Sequence, residues 1–160
     1  MLKIDNIIEP ILVGDARPSS LAEFPVVHVQ PVQWGDMDSF KHLNNVAYYR
    51  YAESARISYM RALGLMHERE DLLTILAGSS MQYRRPVNYP DTLLIGVRIK
   101  HLGNTSLVQE YTVFSHDQQA VVAMGEAVIV RTDSTMSKTP WTDAERALIE
   151  AFEGHKFEKA

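Results

Sequence analysis

Five polar side chains fall within ten residues of this chain, and they are of the types that carry acid–base chemistry. They are Asp36, Asp38, His42, Asn44 and Asn45. Apolar residues at helical spacing follow directly, so the stretch lies at the start of a predicted helix. A helix N-terminus presents unpaired N–H groups and a partial positive charge. A carboxylate close to such donors suggests a general base or a nucleophile acting on a group that develops negative charge.

Each of these residues also has a purely structural interpretation. Asp38 is either the base or nucleophile or a loop residue that hydrogen-bonds its own turn, and for Asp36 we favour the second interpretation. His42 is either an acid–base partner or a side chain that holds the loop. Asn44 and Asn45 are both suited to capping the helix. The backbone N–H of Asn45 would point out of the helix start, which makes it a candidate donor to an oxyanion.

Charged residues outside this stretch form a second set of candidates. Glu53 is either a second carboxylate of a site or an exposed helix charge beside Arg50 and Arg56, and we favour the exposed charge. Six later basic residues could hold phosphate groups, although such side chains are more often solvated. They are Arg84, Arg85, Arg98, Lys100, Arg131 and Lys138.

The six histidines include no closely spaced pair and the chain has no cysteine, so no metal site is predicted.

The composition is that of one globular domain. The chain has 160 residues, of which 46% are apolar and 22% are charged. A formal net charge of −4 argues against a nucleic-acid partner. No apolar run reaches the length of a membrane span, and the first residues lack the hydrophobic region of a signal peptide. We therefore expect a cytoplasmic protein without a membrane segment.

The helices and strands that must position these residues are predicted from the spacing of apolar residues and from the positions of turn and capping residues. The clearest is a helix over Asn45–Leu63, which Gly64 ends; its buried face is predicted to include Ala62. Strands are predicted over Val26–Trp34, Leu72–Arg84, Thr92–His101, Leu107–Ser115 and Ala120–Arg131, with the last in the centre of the sheet. Thr142 and Glu145 form a capping-box pattern that starts a second helix. The predicted class is α+β, with an N-terminal arm over residues 1–24, a domain over 25–132 and a helical tail over 133–160.

Two segments of the chain resemble a known family. The first is Trp34-Gly35-Asp36-Met37-Asp38 followed by His42-Leu43-Asn44-Asn45, Tyr48 and Glu53-Ser54-Ala55-Arg56; the second is Tyr83-Arg84-Arg85-Pro86-Val87 with Asp91. Their D-x-x-x-H-x-N-N spacing is similar to the signature of hotdog-fold acyl-CoA thioesterases of the 4-hydroxybenzoyl-CoA thioesterase type. The loop over residues 38–42 is closer to that of the long-chain acyl-CoA relatives. The resemblance covers about residues 26–131.

The resemblance implies a long helix wrapped by a curved antiparallel sheet, in homodimers or homotetramers with active sites between subunits. It implies hydrolysis of a fatty acyl thioester, with Asp38 as base or nucleophile and the Asn45 N–H as oxyanion donor. His42, Asn44 and Glu53 would support the site. Arg84 and Arg85 would bind the phosphates of coenzyme A. The acyl group is carried by coenzyme A or by an acyl carrier protein, and either carrier is part of the substrate. No cofactor is therefore expected. Two alternatives share the fold: a non-catalytic module that binds acyl thioesters, and an enoyl-thioester hydratase, which we rank last because the expected Asp and His context is missing.

Overall fold

The protein is built on one antiparallel sheet and one long helix. The computed structural model describes residues 9–14, 16–65 and 73–158. The strands are β1 (Val26–Pro31), β2 (Leu73–Tyr83), β3 (Thr92–Leu102), β4 (Ser106–Ser115) and β5 (Ala120–Thr132), and the helices are α1 (Asn45–Leu63) and α2 (Asp143–Glu153). The strands form a single sheet in the order β1-β3-β4-β5-β2, and every neighbouring pair is antiparallel. This arrangement confirms the predicted α+β class.

Helix α1 begins and ends where the sequence predicts. The Asn44 side chain accepts a hydrogen bond from the Val46 N–H, and Gly64 adopts a left-handed conformation at φ 89°. The buried face packs Tyr48, Tyr51, Ala52, Ala55 and Tyr59 against inward-facing residues of the sheet. Small alanines on this face allow the helix to lie close to β1 and β3. The prediction was wrong for Ala62, which is exposed because the last turn of the helix rotates it away from the sheet.

Two further predictions about the strands need correction. Strand β1 ends at Pro31 rather than Trp34, since proline has no N–H to continue a ladder and residues 34–36 form a 3₁₀ turn instead. Strand β5 is an interior strand, but β4 occupies the centre of the sheet. Strand β2 contains a bulge between Leu76 and Gly78. The first residue of the strand predicted to start at Leu72 lies outside the described residues.

The two edges of the sheet differ. Strand β1 is covered by the N-terminal segment: the Leu12 N–H donates to the Val27 carbonyl at 2.9 Å, and the Val29 N–H to the Pro10 carbonyl at 2.8 Å. At the opposite edge, all eleven residues of β2 are at least partly exposed, among them Ile75 and Leu76. Within residues 9–14, 16–65 and 73–158, strand β2 therefore presents a free edge with apolar side chains on it.

Helix α2 begins with a capping box and is joined to β5 by an ion pair. The Thr142 hydroxyl accepts from the Glu145 N–H and the Glu145 carboxylate accepts from the Thr142 N–H, which confirms the predicted capping box. Glu145 also pairs with Arg131 of β5 at 2.7 Å, with both side chains largely buried. The boundaries proposed at residues 24 and 132 remain predictions. No helix among the described residues is long and apolar enough to cross a membrane.

Candidate active site

The loop before α1 is folded around the Asp38 carboxylate. Its Oδ1 accepts hydrogen bonds from the backbone N–H groups of Phe40 at 2.9 Å and His42 at 3.2 Å. The Asp38 N–H in turn donates to the His42 carbonyl at 2.8 Å. The tight turn brings Lys41 to a left-handed φ of 64°. Asp38 thus makes the turn-stabilising hydrogen bonds of the structural interpretation, but these bonds use one oxygen and leave Oδ2 without a partner among the described residues.

The first turn of α1 leaves one backbone donor unpaired. Asn44 satisfies two of the N–H groups at the helix start: its side chain accepts from Val46 at 3.0 Å and its carbonyl from Ala47 at 2.9 Å. Within the part of the chain that the structure describes, the Asn45 N–H has no acceptor. Asn45 is exposed, so this donor is available to a ligand. The helix dipole adds partial positive charge at the same place.

Asp36 holds the loop against the helix. Its Oδ2 accepts from the Tyr51 hydroxyl at 2.6 Å, and its backbone carbonyl accepts from the Asn44 N–H at 2.9 Å. Arg50 lies 3.8 Å from the same carboxylate. Burial, together with the hydrogen bond to Asp36, raises the pKa of Tyr51 to about 12. Asp36 therefore has the structural role that the sequence favoured.

A cavity of about 370 Å³ opens beside this loop. It is lined by Asp38, His42, Leu43, Asn45, Tyr48, Tyr83, Arg84, Arg85 and Pro86. The arginines arrive from the end of β2, where their backbone N–H groups both donate to the Val122 carbonyl. Both arginines are exposed, and no carboxylate among the described residues pairs with either. One cavity therefore contains a carboxylate, a histidine, a free helix N–H and two unpaired cations.

Two tyrosines in this cavity are not among the site residues that the sequence predicts. The rings of Tyr48 and Tyr83 meet edge to face at 4.9 Å between centroids. Burial, with smaller effects from Tyr83 and Asp91, raises the pKa of Tyr48 to about 12, so its hydroxyl is a neutral donor at ordinary pH. The periodicity of α1 places Tyr48 on the buried face and gives it no further role. Both tyrosines stand in the two segments that carry the family resemblance, which was the available signal.

Two other predicted site residues do not line the cavity. The Asn44 side chain is engaged in capping the helix. Glu53 is exposed on α1 and lies 3.7 Å from Arg56, so it is the exposed helix charge that the sequence favoured. Within residues 9–14, 16–65 and 73–158, no group of three or more histidine and acidic side chains could hold a metal ion.

The arrangement suits chemistry on a carbonyl group. A carbonyl oxygen that accepts a hydrogen bond from the Asn45 N–H would gain stabilisation as negative charge develops on it. A carboxylate in the same cavity can take a proton or attack the carbonyl carbon. The two cations can bind the anionic part of a ligand near the mouth.

Comparison with known proteins gives consistent matches. Residues 32–150 match the family described as the thioesterase-like superfamily. Protein YsmA of Bacillus subtilis, which is uncharacterized, is 31% identical over 119 residues, covering 74% of this chain and 80% of YsmA. A thioesterase from Thermus thermophilus, solved with coenzyme A and zinc, is 30% identical with a TM-score of 0.74, covering 84% of this chain and 98% of its own. The PA2801 protein of Pseudomonas aeruginosa is 32% identical with a TM-score of 0.70, and the match covers 77% of this chain and 96% of PA2801. These matches confirm the predicted hotdog fold, and the family match extends past residue 131 into α2.

Proposed function

The chain belongs to the thioesterase-like superfamily, and on that premise we propose that it hydrolyses an acyl-CoA thioester to a free acid and coenzyme A. The observation that carries this proposal is the unpaired Asn45 N–H in the same cavity as the Asp38 carboxylate. The similarity to a thioesterase solved with coenzyme A supports CoA as the carrier.

In the proposed reaction the thioester carbonyl accepts a hydrogen bond from the Asn45 N–H. Asp38 removes a proton from a water molecule, whose oxygen attacks the carbonyl carbon. The C–S bond then breaks, and the proton passes from Asp38 to the departing thiolate. Direct attack by Asp38 followed by hydrolysis of the resulting anhydride gives the same products. Neither route requires a metal or a redox cofactor, and removal of one oxyanion donor typically costs about 3–4 kcal/mol in the transition state.

Two arginines beside the cavity are suited to bind the coenzyme A part of the substrate. Arg84 and Arg85 are exposed and unpaired within the described chain, so their guanidinium groups are free to bind the phosphates of coenzyme A. His42, also exposed at this cavity, would add a further donor near them. The sequence of the Asp38 loop leads us to assign the chain, within the same proposal, to the 4-hydroxybenzoyl-CoA thioesterase type and to its long-chain acyl-CoA relatives.

We further propose that the active unit is a homodimer joined through β2. Among the described residues this strand is an eleven-residue free edge, and Leu73, Ile75 and Leu76 are each more than a third exposed. A second copy can continue the sheet across this edge. Since β2 ends beside the candidate cavity at Tyr83, the two cavities of the dimer would lie close to the interface.

Thiol release tests the proposal against its main alternative. Purified protein is incubated with a series of acyl-CoA thioesters, and free coenzyme A is followed with a thiol-reactive dye. Release with turnover supports hydrolysis. Saturable binding of the thioesters without thiol release would instead identify a non-catalytic acyl-thioester binding module on the same fold.

A further inference from the structure

A trough lies between α1 and β2, next to the candidate cavity, with which it shares no lining residue. Its floor is a stripe of the helix made by residues at three- and four-residue steps, Tyr49, Ala52, Arg56 and Met60, which share one face. Its wall is β2, which runs antiparallel to the helix, so that Tyr83 faces the start of α1 and Leu76 faces its second half.

Two further cavities form the body of this trough. The middle one has about 390 Å³ and is bounded by Tyr49, Ala52 and Arg56 on one side and by Ser80 and Met81 on the other. The far one has about 300 Å³ and is mainly apolar; its lining includes Ile57, Met60, Ile75, Leu76 and Ile129. The two share Glu53, Arg56 and Leu76, so they are parts of one space. The small side chain of Ala52 leaves the middle cavity open.

A buried tyrosine hydroxyl in the middle of the trough donates its proton to no acceptor among the described residues. Tyr111 of β4 lines the middle cavity and is 1% exposed. Burial raises the pKa of this phenol, while the charge of the Arg56 guanidinium and its hydrogen bond to the phenol oxygen oppose that shift. The Arg56 side chain is itself only 14% exposed and meets Glu53 at a long 3.7 Å. A buried hydroxyl normally donates to an acceptor, and a guanidinium has five N–H donors, so the Tyr111 O–H and the remaining Arg56 N–H groups have capacity left for a ligand.

The charges of the middle cavity indicate what kind of ligand atom fits there. The lining carries two arginines, Arg50 and Arg56, and two carboxylates, Glu53 and Glu126. Arg50 also lies 3.8 Å from Asp36, and Glu126 is paired with Lys100, so the charges of this region are balanced. An additional carboxylate would therefore meet two like charges in a partly desolvated space. An uncharged oxygen avoids that repulsion and can still accept from the Arg56 guanidinium while pairing with the Tyr111 hydroxyl.

We propose that Tyr111 and Arg56 bind an uncharged oxygen, a hydroxyl or keto group, on the acyl chain of the substrate, and so select an oxygenated acyl group over a plain hydrocarbon chain. This inference rests on the proposed function, because it assumes that the thioester carbonyl lies at Asn45 and the acyl chain in the trough. Seven residues of helix separate Asn45 from Ala52, or roughly 10 Å along the axis. The oxygen should therefore sit at about that distance from the thioester carbonyl.

The test uses pairs of acyl-CoA thioesters of increasing chain length. Each pair consists of an unsubstituted chain and the same chain with a terminal hydroxyl, and a parallel set carries a keto group. For wild type, the ratio of kcat/KM within each pair should exceed one and peak at a single chain length. In Tyr111→Phe that ratio should fall about tenfold, as expected for the loss of one hydrogen bond to the ligand. The hydroxyl and keto sets show which oxygen the site prefers.

Tyr59→Phe is the matched control. Tyr59 is also a fully buried tyrosine, but its hydroxyl donates to Glu153 away from the trough, so this variant should lose stability and keep the wild-type ratio. Equal rates within every pair, or an unchanged ratio in Tyr111→Phe, would overturn the inference. The same ratios are measured as dissociation constants with Asp38→Asn in place of the wild type. If no thiol is released by wild type, the proposed hydrolysis fails, and the binding ratios alone still decide whether the oxygen is recognised.

Discussion

Replacement of Asp38 by asparagine separates the chemical role of this residue from its structural role. In the structure Oδ1 holds two loop N–H groups, of Phe40 and His42, and an asparagine Oδ1 can accept both. The loop should therefore keep its shape, with a loss of less than about 1 kcal/mol in the free energy of unfolding, because both bonds are exposed to solvent. The group that is lost is the proton acceptor. Loss of a general base typically lowers kcat by roughly 10²–10⁴-fold.

The matched variant is Asp38→Ala, which removes the two loop hydrogen bonds as well as the base. It should lose activity to the same extent and about 1–2 kcal/mol of stability in addition. Steady-state thiol release on one acyl-CoA and urea unfolding of all three proteins provide the comparison. An Asp38→Asn protein with near-normal kcat would refute the reasoning, since the carboxylate would then serve only to shape the loop.

The remaining predictions concern the cavity mouth, the free edge and a buried histidine. Replacing both Arg84 and Arg85 by alanine should raise KM for acyl-CoA about tenfold and flatten its salt dependence, while a pantetheine thioester that lacks the nucleotide phosphates should show no change. Leu76→Lys places a charge on the edge strand β2 and should convert the proposed dimer to a monomer in sedimentation; a variant that remains dimeric would exclude this edge as the interface. Burial lowers the pKa of His28 below its usual 6.5, and its ring also pairs with Ser58 at 2.7 Å. The unfolded chain therefore binds a proton more readily, so stability should be full above pH 6.5 and fall as the pH drops further, and His28→Asn should reduce this slope in urea unfolding.

Local signals explain which elements the sequence could predict. Helix α1 is predictable at both ends because its limits are set by neighbours in the chain, the Asn44 cap and Gly64. The strands β2 to β5 are predictable within one or two residues because alternation and turn residues mark them. The errors occur where position depends on the rest of the fold. Ala62 continues the apolar pattern, but no described element covers that side of the last turn. The centre of the sheet is decided by strand order, which alternation does not encode.

The candidate site divides in the same way. Asp38, His42 and Asn45 are close in sequence, so one loop brings them together. Arg84 and Arg85 join them because β2 ends beside the start of α1, which family resemblance suggested and spacing alone did not. The sequence does not predict a ligand-binding role for Tyr111, because a tyrosine in an apolar strand is typical of a core. Only the three-dimensional arrangement shows that its hydroxyl donates to no acceptor among the described residues.

The covered edge at β1 limits how many copies could associate through their sheet edges. Residues 10–12 occupy hydrogen-bonding positions beside β1, so within the described part of the chain β2 is the edge left open to pair. A chain with two open edges could add copies without end and grow into a fibre. In the proposed dimer, pairing of β2 with the β2 of a second molecule leaves no further open edge among the described residues, so association through sheet edges would end at two copies. The short N-terminal segment would therefore prevent growth of a fibre through sheet edges.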